Sequence, residues 1–149
     1  SDICIYADLP SKHHGNSTVP IEVTITRQKP DLVIVNKVSR QITLFELSVP
    51  FETNIANTHK IKENRYKDLV ENIEDNNFTV EYFPVEIGSR GFISKDNNNR
   101  LKTFFKKSST CKYNDVKSEI CKIALVSSFI IYHSKYEESW INPPYISFN

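Results

Sequence analysis

Short alternating or apolar runs in the first part of the chain predict β-strands. DICIYADLP predicts a strand that ends at Pro10, and IEVTIT (21–26) predicts another because it alternates and is rich in β-branched residues. DLVIVN and ITLFELSV, joined by the polar turn KVSRQ, predict a β-hairpin. FTVEYFPVEI predicts a further strand, with Pro84 at a bulge or sheet edge because proline cannot donate a ladder hydrogen bond.

Helical periodicity separates and follows these strands. The first predicted helix runs from Thr53 or Asn54, with Asn54 as its cap, to about Ile73. NRLKTFFKK predicts a short amphipathic helix, and NDVKSEICKIALVSSFIIYHSKY predicts a long, largely apolar helix packed on the sheet. This order of elements predicts an α/β (α+β) fold, in which a central mixed β-sheet is flanked by helices.

Composition limits the class of protein. The 149 residues, 39% of them hydrophobic, fit one globular domain, and the net charge of +1 provides no overall basic field. Cys4, Cys111 and Cys121 form no CxxC pair, so they favour a reducing, intracellular compartment over a disulfide framework or a zinc module. No apolar run reaches the length of a membrane span, so we expect no membrane partner. The chain does not begin with Met, and we expect residues 1–149 to be a single domain excised from a longer protein.

Glu46 is the first candidate for chemistry because a carboxylate at its position is costly. In ITLFELSV it shares one face with Ile42, Leu44 and Ser48. Both faces are mainly apolar, as in a central strand covered on both sides. A carboxylate buried there needs a cation, a hydrogen-bond network or a raised pKa. A structural ion pair or an exposed strand end is the alternative.

Asp31 is the second candidate, at the entry of the first hairpin strand. It follows Pro30, and this pair of residue types also favours a plain turn. Fourteen residues lie between Asp31 and Glu46, a separation that can bring the start of one hairpin strand opposite the end of the next. Two carboxylates at one rim repel unless a divalent cation lies between them, and magnesium accepts two carboxylates, a backbone carbonyl and waters.

The helix that follows offers a cation. Its apolar stripe consists of Ile55, Lys62, Tyr66, Leu69 and Ile73. At about 100° per residue, Lys62 lies in the middle of this stripe, whereas Lys60 and Lys67 point away from it. His59 and Arg65 flank the same face. Lys62 is therefore expected to face the sheet, and the alternative is that it snorkels at the edge of the stripe.

Further basic residues are candidates for contact with phosphate groups. Arg90 lies in GSRG, where flanking glycines would let backbone amides approach a phosphate. Lys102, Lys106 and Lys107 lie on the predicted short helix. An exposed arginine in a turn and an ordinary solvated helix face are the alternatives.

These motifs together resemble the core of the PD-(D/E)XK nucleases. KPD, then FELS, then THKIKENRY are most similar to the restriction-like endonuclease domains of non-LTR retrotransposons and related mobile elements. Those domains have a PD, a spacer of this size, an acidic residue and a lysine moved onto the next helix. The similarity runs from about Asp31 to Tyr66, with a looser likeness in VEIGSRGF. Ser48 stands where the standard motif has lysine, and the resemblance implies that Lys62 replaces it.

The resemblance implies a restriction-endonuclease-like fold and an Mg²⁺-dependent endodeoxyribonuclease. Asp31 and Glu46 would hold Mg²⁺ or Mn²⁺, assisted by the carbonyl of Leu47. Lys62 would orient or deprotonate the attacking water, or stabilise charge on the scissile phosphate. Asp31, Glu46 and Lys62 are thus the expected catalytic residues.

The remaining expectations concern supporting residues and partners. An additional upstream acid is common in the family, and either Glu22 or Asp8 could supply it. Glu52 and Tyr66 are supporting candidates near the site. The residues expected to contact DNA are Arg90, Lys102, Lys106 and Tyr66. The partners implied are DNA, other domains of a longer mobile-element protein and a possible second copy in a homodimer, with action on host DNA in the nucleus.

Two other functions are compatible with the sequence. A nuclease-like fold without catalysis could serve as a nucleic-acid or protein interaction module, and Ser48 in place of lysine supports it. An unrelated α/β binding domain could use Glu46 and Lys62 as a buried structural pair.

Overall fold

A mixed four-stranded sheet organises the protein. The computed structural model describes residues 2–8, 17–108 and 112–135. The elements in chain order are β1 (Ile3–Ala7), β2 (Leu32–Asn36), β3 (Gln41–Ser48), a short 3-10 helix (Glu52–Asn54), α1 (Ile55–Asp75), β4 (Thr79–Glu86), α2 (Lys95–Ser108) and α3 (Tyr113–Ser134). The strand order is β1-β2-β3-β4; the first two pairs are antiparallel and β3 runs parallel to β4.

Helices cover both faces of the sheet. One face packs under α1 through Val33, Val35, Ile42, Leu44, Tyr66, Leu69 and Ile73. The opposite face packs under α2 and α3 through Phe45, Val85, Ile87, Leu101, Phe104 and Ala124. The prediction of an α/β fold with a central mixed sheet and flanking helices is confirmed, and β3 is covered on both sides as its apolar pattern indicated.

The predicted hairpin is confirmed and brings two chain segments to one rim. Leu32 pairs with Phe45 and Asn36 with Gln41, so the start of β2 lies beside the end of β3. The connection from β3 to the parallel strand β4 runs through α1. The rim formed by the start of β2 and the ends of β3 and β4 is called the carboxyl rim below.

The predicted strand IEVTIT (21–26) is wrong. Residues 21–23 form a turn in which the Val23 N–H donates to the Pro20 carbonyl at 2.9 Å, and the rest of the segment is irregular. Val23 is buried against the α1 side of the core, whereas Ile21 and Ile25 are exposed. Alternation alone did not produce a strand because β1 and β3 occupy both edges of β2, and the segment forms no ladder with another strand.

The helix starts differ from their predictions in detail. Asn54 stands at the start of α1 but makes no side-chain capping hydrogen bond, because a 3-10 turn leads into the helix. α2 begins earlier than predicted, at Lys95, and Ser94 Oγ accepts a hydrogen bond from the Asn97 N–H at 3.2 Å, as an N-cap serine does.

Several further predictions have structural outcomes. Pro84 lies on β4, an edge strand of the described sheet, in agreement with its predicted position. α3 packs on the sheet through Ala124, while Leu125 and Phe129 remain exposed in the described part of the chain. The predicted end of the first strand at Pro10 lies outside the described residues. Within residues 2–8, 17–108 and 112–135, no helix combines the length and apolar character needed to cross a membrane.

Candidate functional site

Asp31 and Glu46 meet at the carboxyl rim. One step beyond the Leu32–Phe45 pair, the register places Asp31 opposite Glu46. The Asp31 N–H donates to Glu46 Oε2 at 3.3 Å, and the Leu47 N–H donates to Asp31 Oδ2 at 2.7 Å. The hairpin geometry therefore brings together the two acidic side chains that are far apart along the chain.

Glu46 is buried with a cation and a hydrogen-bond donor. Only 4% of its surface is exposed. Lys62 Nζ forms an ion pair with Oε1, and the Tyr66 hydroxyl donates to Oε2 at 3.0 Å. Lys60 and Lys67 are exposed, so the α1 stripe faces the sheet as predicted. This arrangement supplies the partners that a carboxylate in the core requires.

Two tyrosines support the ion pair. Burial raises the pKa of the Tyr66 phenol, and the adjacent Glu46 carboxylate raises it further, so Tyr66 remains a hydrogen-bond donor. Tyr82 on β4 packs its ring 5.4 Å from that of Tyr66 and donates to the Lys62 carbonyl at 3.3 Å. Tyr82 was not a candidate in the sequence, although its place in an apolar strand beside the α1 stripe was a usable signal.

Asp31 is the accessible carboxylate of the pair. Partial burial raises the pKa of its carboxyl and the Glu46 charge adds to this, whereas the hydrogen bond from the Leu47 N–H lowers it. The residue as a whole is exposed, so the desolvation acts on the carboxyl group at the mouth of the site. A cation bound there would favour the ionised form.

The structure separates the two candidates for the upstream acid. The Asp8 N–H donates to the Asp31 carbonyl at 3.0 Å, which places Asp8 next to the site. Glu22 instead forms an exposed ion pair with Lys37, beside the β2–β3 turn at the other end of the hairpin. Of these two candidates, Asp8 is therefore the one that lies near Asp31.

The backbone carbonyl of Leu47 also points toward Asp31. The neighbouring Ser48 carbonyl accepts from the Ile87 N–H at 2.9 Å and so points toward β4. Successive carbonyls of a strand point to opposite neighbours, so the Leu47 carbonyl points toward the β2 side, where Asp31 lies. In the described part of the chain, no three His, Cys, Asp or Glu side chains form a complete metal-holding group. The available set is two carboxylates and one carbonyl, all hard oxygen donors of the kind that Mg²⁺ and Mn²⁺ prefer.

The turn Gly88–Gly91 does not offer free backbone amides to a phosphate, contrary to the prediction. Three of its four N–H groups donate to backbone carbonyls, and the Arg90 N–H donates to Glu52 Oε1 at 2.8 Å. Arg90 Nε also donates to Glu52 Oε2 at 3.0 Å. Glu52 therefore shapes this turn, and the Arg90 side chain, 69% exposed, remains the part that can reach a ligand.

The other predicted DNA contacts lie in different surroundings. Tyr66 is 3% exposed and its hydroxyl donates to Glu46, so this side chain lies inside the site and not on the surface. Lys102 and Lys106 are exposed on α2, on the sheet face opposite α1, and they do not join the cluster around Glu46. The side chain of Lys107 lies outside the described residues.

A second buried carboxylate was missed. Glu86, at the end of β4, is 1% exposed and contacts His59 Nδ1 at 3.0 Å. Ser48 pairs with Glu86 in the β3–β4 register, and its hydroxyl is buried without a hydrogen-bond partner among the described residues. An acidic residue in an apolar strand was the same signal that drew attention to Glu46.

Comparison with known proteins provides no evidence on function, so the geometry of the site is the basis for a proposal. Protein-family models, curated proteins and solved structures yielded no match to the chain.

Proposed function

We propose that the chain is a metal-dependent DNA endonuclease domain of the PD-(D/E)XK type that hydrolyses phosphodiester bonds. The observation that carries the proposal is the ion pair between Lys62 of α1 and the buried Glu46 of β3, with Asp31 beside it at the carboxyl rim. This is the set of residues that the resemblance implied, and a helix lysine reaches the acidic residue where Ser48 stands in place of the motif lysine.

The oxygen donors at the rim fit a divalent ion. Asp31, Glu46 and the Leu47 carbonyl would hold Mg²⁺ or Mn²⁺, with water completing the coordination. Such an ion neutralises charge on the phosphate and lowers the pKa of a bound water. A carboxylate has about four lone-pair positions, and Glu46 accepts from Lys62, Tyr66 and the Asp31 N–H, so about one position remains for a ligand.

Lys62 would act on the attacking water or on the phosphate. Its amine is held by Glu46, and its side chain is 18% exposed, so it can be reached from the rim. Tyr66 fixes the other oxygen of Glu46 and leaves the carboxylate little freedom to rotate. Lys62 is therefore prearranged to orient the water or to stabilise charge that develops on the phosphate.

The proposed substrate is host DNA, cut by one part of a longer mobile-element protein in the nucleus. The exposed side chains of Arg90, Lys102 and Lys106 are proposed to contact phosphates outside the cleavage site. Target-sequence recognition is assigned to other domains, because the chain contains no zinc-finger or homeodomain pattern. A homodimer would allow both strands to be cut.

A structural ion pair is the second candidate, and one contact favours it. Lys62 Nζ already occupies Glu46 Oε1, as it would in a core without catalytic purpose. That role predicts a destabilisation of about 3–5 kcal/mol when one partner is truncated, with no metal-dependent activity. The same pair in an inactive nuclease-like fold would serve only as part of an interaction module.

Nicking of supercoiled plasmid with Mg²⁺ or Mn²⁺ tests the proposal. We expect Asp31→Asn, Glu46→Gln and Lys62→Met each to lower the nicking rate by about 100-fold or more, since each removes a group that acts in the transition state. Lys60→Met is the matched control: it lies on the same helix with an exposed side chain and should keep the wild-type rate. A wild-type rate in folded Glu46→Gln protein would contradict the proposal.

A further inference from the structure

A buried histidine–carboxylate pair lies next to the proposed site and is not used by it. Glu86 is 1% exposed, and both its carboxylate oxygens lie within 3.1 Å of His59 Nδ1. Glu86 and Glu46 lie on the same face of neighbouring strands, under α1. Burying a second carboxylate there is costly, and His59 is the partner that offsets the cost.

His59 presents its other nitrogen away from the core. Nε2 lies 3.2 Å from Glu63 Oε1, and the Glu63 side chain is 55% exposed. Donation to both carboxylates requires a hydrogen on each ring nitrogen. An exposed ion pair such as that with Glu63 is weak, so a ligand can displace Glu63 from Nε2. The His59 ring is thus held at Nδ1 by Glu86, whereas the partner of Nε2, Glu63, can be replaced.

The position of His59 relates it directly to Lys62. The two residues are three positions apart on α1 and share the face that looks onto the sheet. Lys62 is held by Glu46 on β3, and His59 is held by Glu86 on β4. Lys62 and His59 therefore line the carboxyl rim side by side, each oriented by a buried carboxylate.

An unsatisfied hydroxyl marks the space between the two pairs. Ser48 lies on the same face of β3 as Glu46, two positions further along, and it is the register partner of Glu86. Its Oγ is buried and lacks a hydrogen-bond partner among the described residues. A buried hydroxyl without a partner is unfavourable, so an oxygen acceptor brought beside it by a bound ligand would be stabilised.

We propose that His59 is the general acid of the reaction proposed above, on which this inference rests. Hydrolysis requires two proton transfers, and Lys62 beside Asp31 and Glu46 is placed to serve the attacking water. The other transfer is to the leaving oxygen. As the water oxygen bonds to phosphorus, the bond from phosphorus to O3′ breaks, and the Nε2 proton of His59 moves to O3′.

The proton balance and the products follow. The attacking water releases one proton to solvent, and His59 takes one proton back from solvent after turnover, giving a 3′-hydroxyl and a 5′-phosphate. Glu86 is a positioning residue that fixes the ring through Nδ1 and stabilises its charge, as a buried carboxylate does for a catalytic histidine.

The test compares two leaving groups in one DNA duplex that the wild-type protein cuts at a mapped position. One duplex carries the normal linkage there, and the other carries sulfur in place of O3′, which leaves without needing a proton. With the same metal, we expect His59→Asn to slow cleavage of the oxygen linkage by about 100-fold and to leave the sulfur linkage within about threefold of wild type. Lys62→Met should slow both linkages, and Glu63→Gln neither.

Each other result overturns the inference. Equal slowing of both linkages by His59→Asn assigns a structural role to the histidine, and no slowing excludes it from the reaction.

If His59→Asn melts below the assay temperature, the double variant His59→Asn with Glu86→Gln, which leaves no unpaired charge, carries the same comparison. If wild type cuts neither duplex, the nuclease proposal itself fails. If wild type and not Asp31→Asn cuts, the nuclease proposal stands whatever His59 does.

Discussion

At the scale of single residues, three hydrogen-bond donors surround the buried carboxylate of Glu46. Lys62 pairs with one of its oxygens, and Tyr66 and the Asp31 N–H donate to the other. Hydrogen bonds to a charged acceptor are stronger than bonds to a neutral one, and removing a single donor exposes the difference. Tyr66 and Tyr82 provide such a comparison, because both are tyrosines packed on each other with different acceptors.

Removal of the Tyr66 hydroxyl should cost more stability than removal of the Tyr82 hydroxyl. Tyr66 donates to the Glu46 carboxylate, so we expect Tyr66→Phe to lower the free energy of unfolding by about 1.5–3 kcal/mol. Tyr82 donates to the neutral Lys62 carbonyl, so Tyr82→Phe should cost about 0.5–1.5 kcal/mol. Urea denaturation measures both. The reverse order would show that Tyr66 is not a significant donor to Glu46.

At the scale of elements, α1 supplies the cation that β3 lacks. Ser48 is two positions beyond Glu46 on the same face of β3, and Lys62 reaches Glu46 from the helix above. A lysine on either element could bring an amine to this carboxylate. For the proposed site, the element that carries the lysine is therefore less important than whether the amine reaches Glu46.

A lysine returned to β3 should partly replace the lysine of α1. We expect Ser48→Lys in the Lys62→Met background to recover at least about tenfold of the lost plasmid-nicking rate, since the new amine lies beside Glu46. Thr43→Lys in the same background is the control, because its side chain lies on the opposite face of β3. Recovery by the Thr43 variant alone would argue against a relocated lysine.

The turn between β4 and α2 depends on two glycines for different reasons. Gly91 has φ of 79°, and a Cβ there would lie 2.9 Å from the Cys121 carbonyl oxygen of α3. A Cβ on Gly88 would lie 2.6 Å from Glu52 Oε1, the end of a flexible side chain. Backbone strain and an immovable carbonyl act together only at Gly91.

Alanine at these positions should therefore give unequal effects. We expect Gly91→Ala to destabilise the protein by about 1–3 kcal/mol and Gly88→Ala by less, since Glu52 can swing away. Thermal denaturation compares the two. Gly88→Ala should also release the Arg90 side chain from Glu52, so a larger loss at Gly88 would mean that the Glu52–Arg90 contact is essential to the turn.

At the scale of the whole molecule, the carboxyl rim joins segments from across the chain. Asp31 immediately precedes β2, Glu46 lies on β3, and Asp8 is the residue that follows β1. A ligand bound between these segments would stabilise the folded state as a whole, because it binds only when all of them are assembled.

Manganese should raise the melting temperature of the protein. At about 100 times its dissociation constant, a bound ion adds about 2.7 kcal/mol, or about 5–10 °C for a domain of this size. Asp31→Asn should abolish the shift, whereas Asp96→Asn, exposed on α2, should keep it. A shift of the same size in both variants would place the ion elsewhere.

Local pattern was sufficient for most of the elements and for part of the candidate site. The hairpin followed from two strand-like runs and a polar turn, and the direction of Lys62 followed from the helical period of the α1 stripe. Both depend on backbone geometry over a few residues, which a sequence specifies directly. The fourteen-residue separation of Asp31 and Glu46 placed them at one rim for the same reason.

Contacts between distant segments were decided only by the tertiary structure. Residues 21–26 alternate like a strand, but residues 21–23 form a turn and the rest is irregular, since no strand of the sheet pairs with them. His59 and Glu86 meet across 27 positions, and the choice of Asp8 over Glu22 depends on which end of β2 each one neighbours. Periodicity determines which face of an element is buried, whereas strand order and register determine what that face meets.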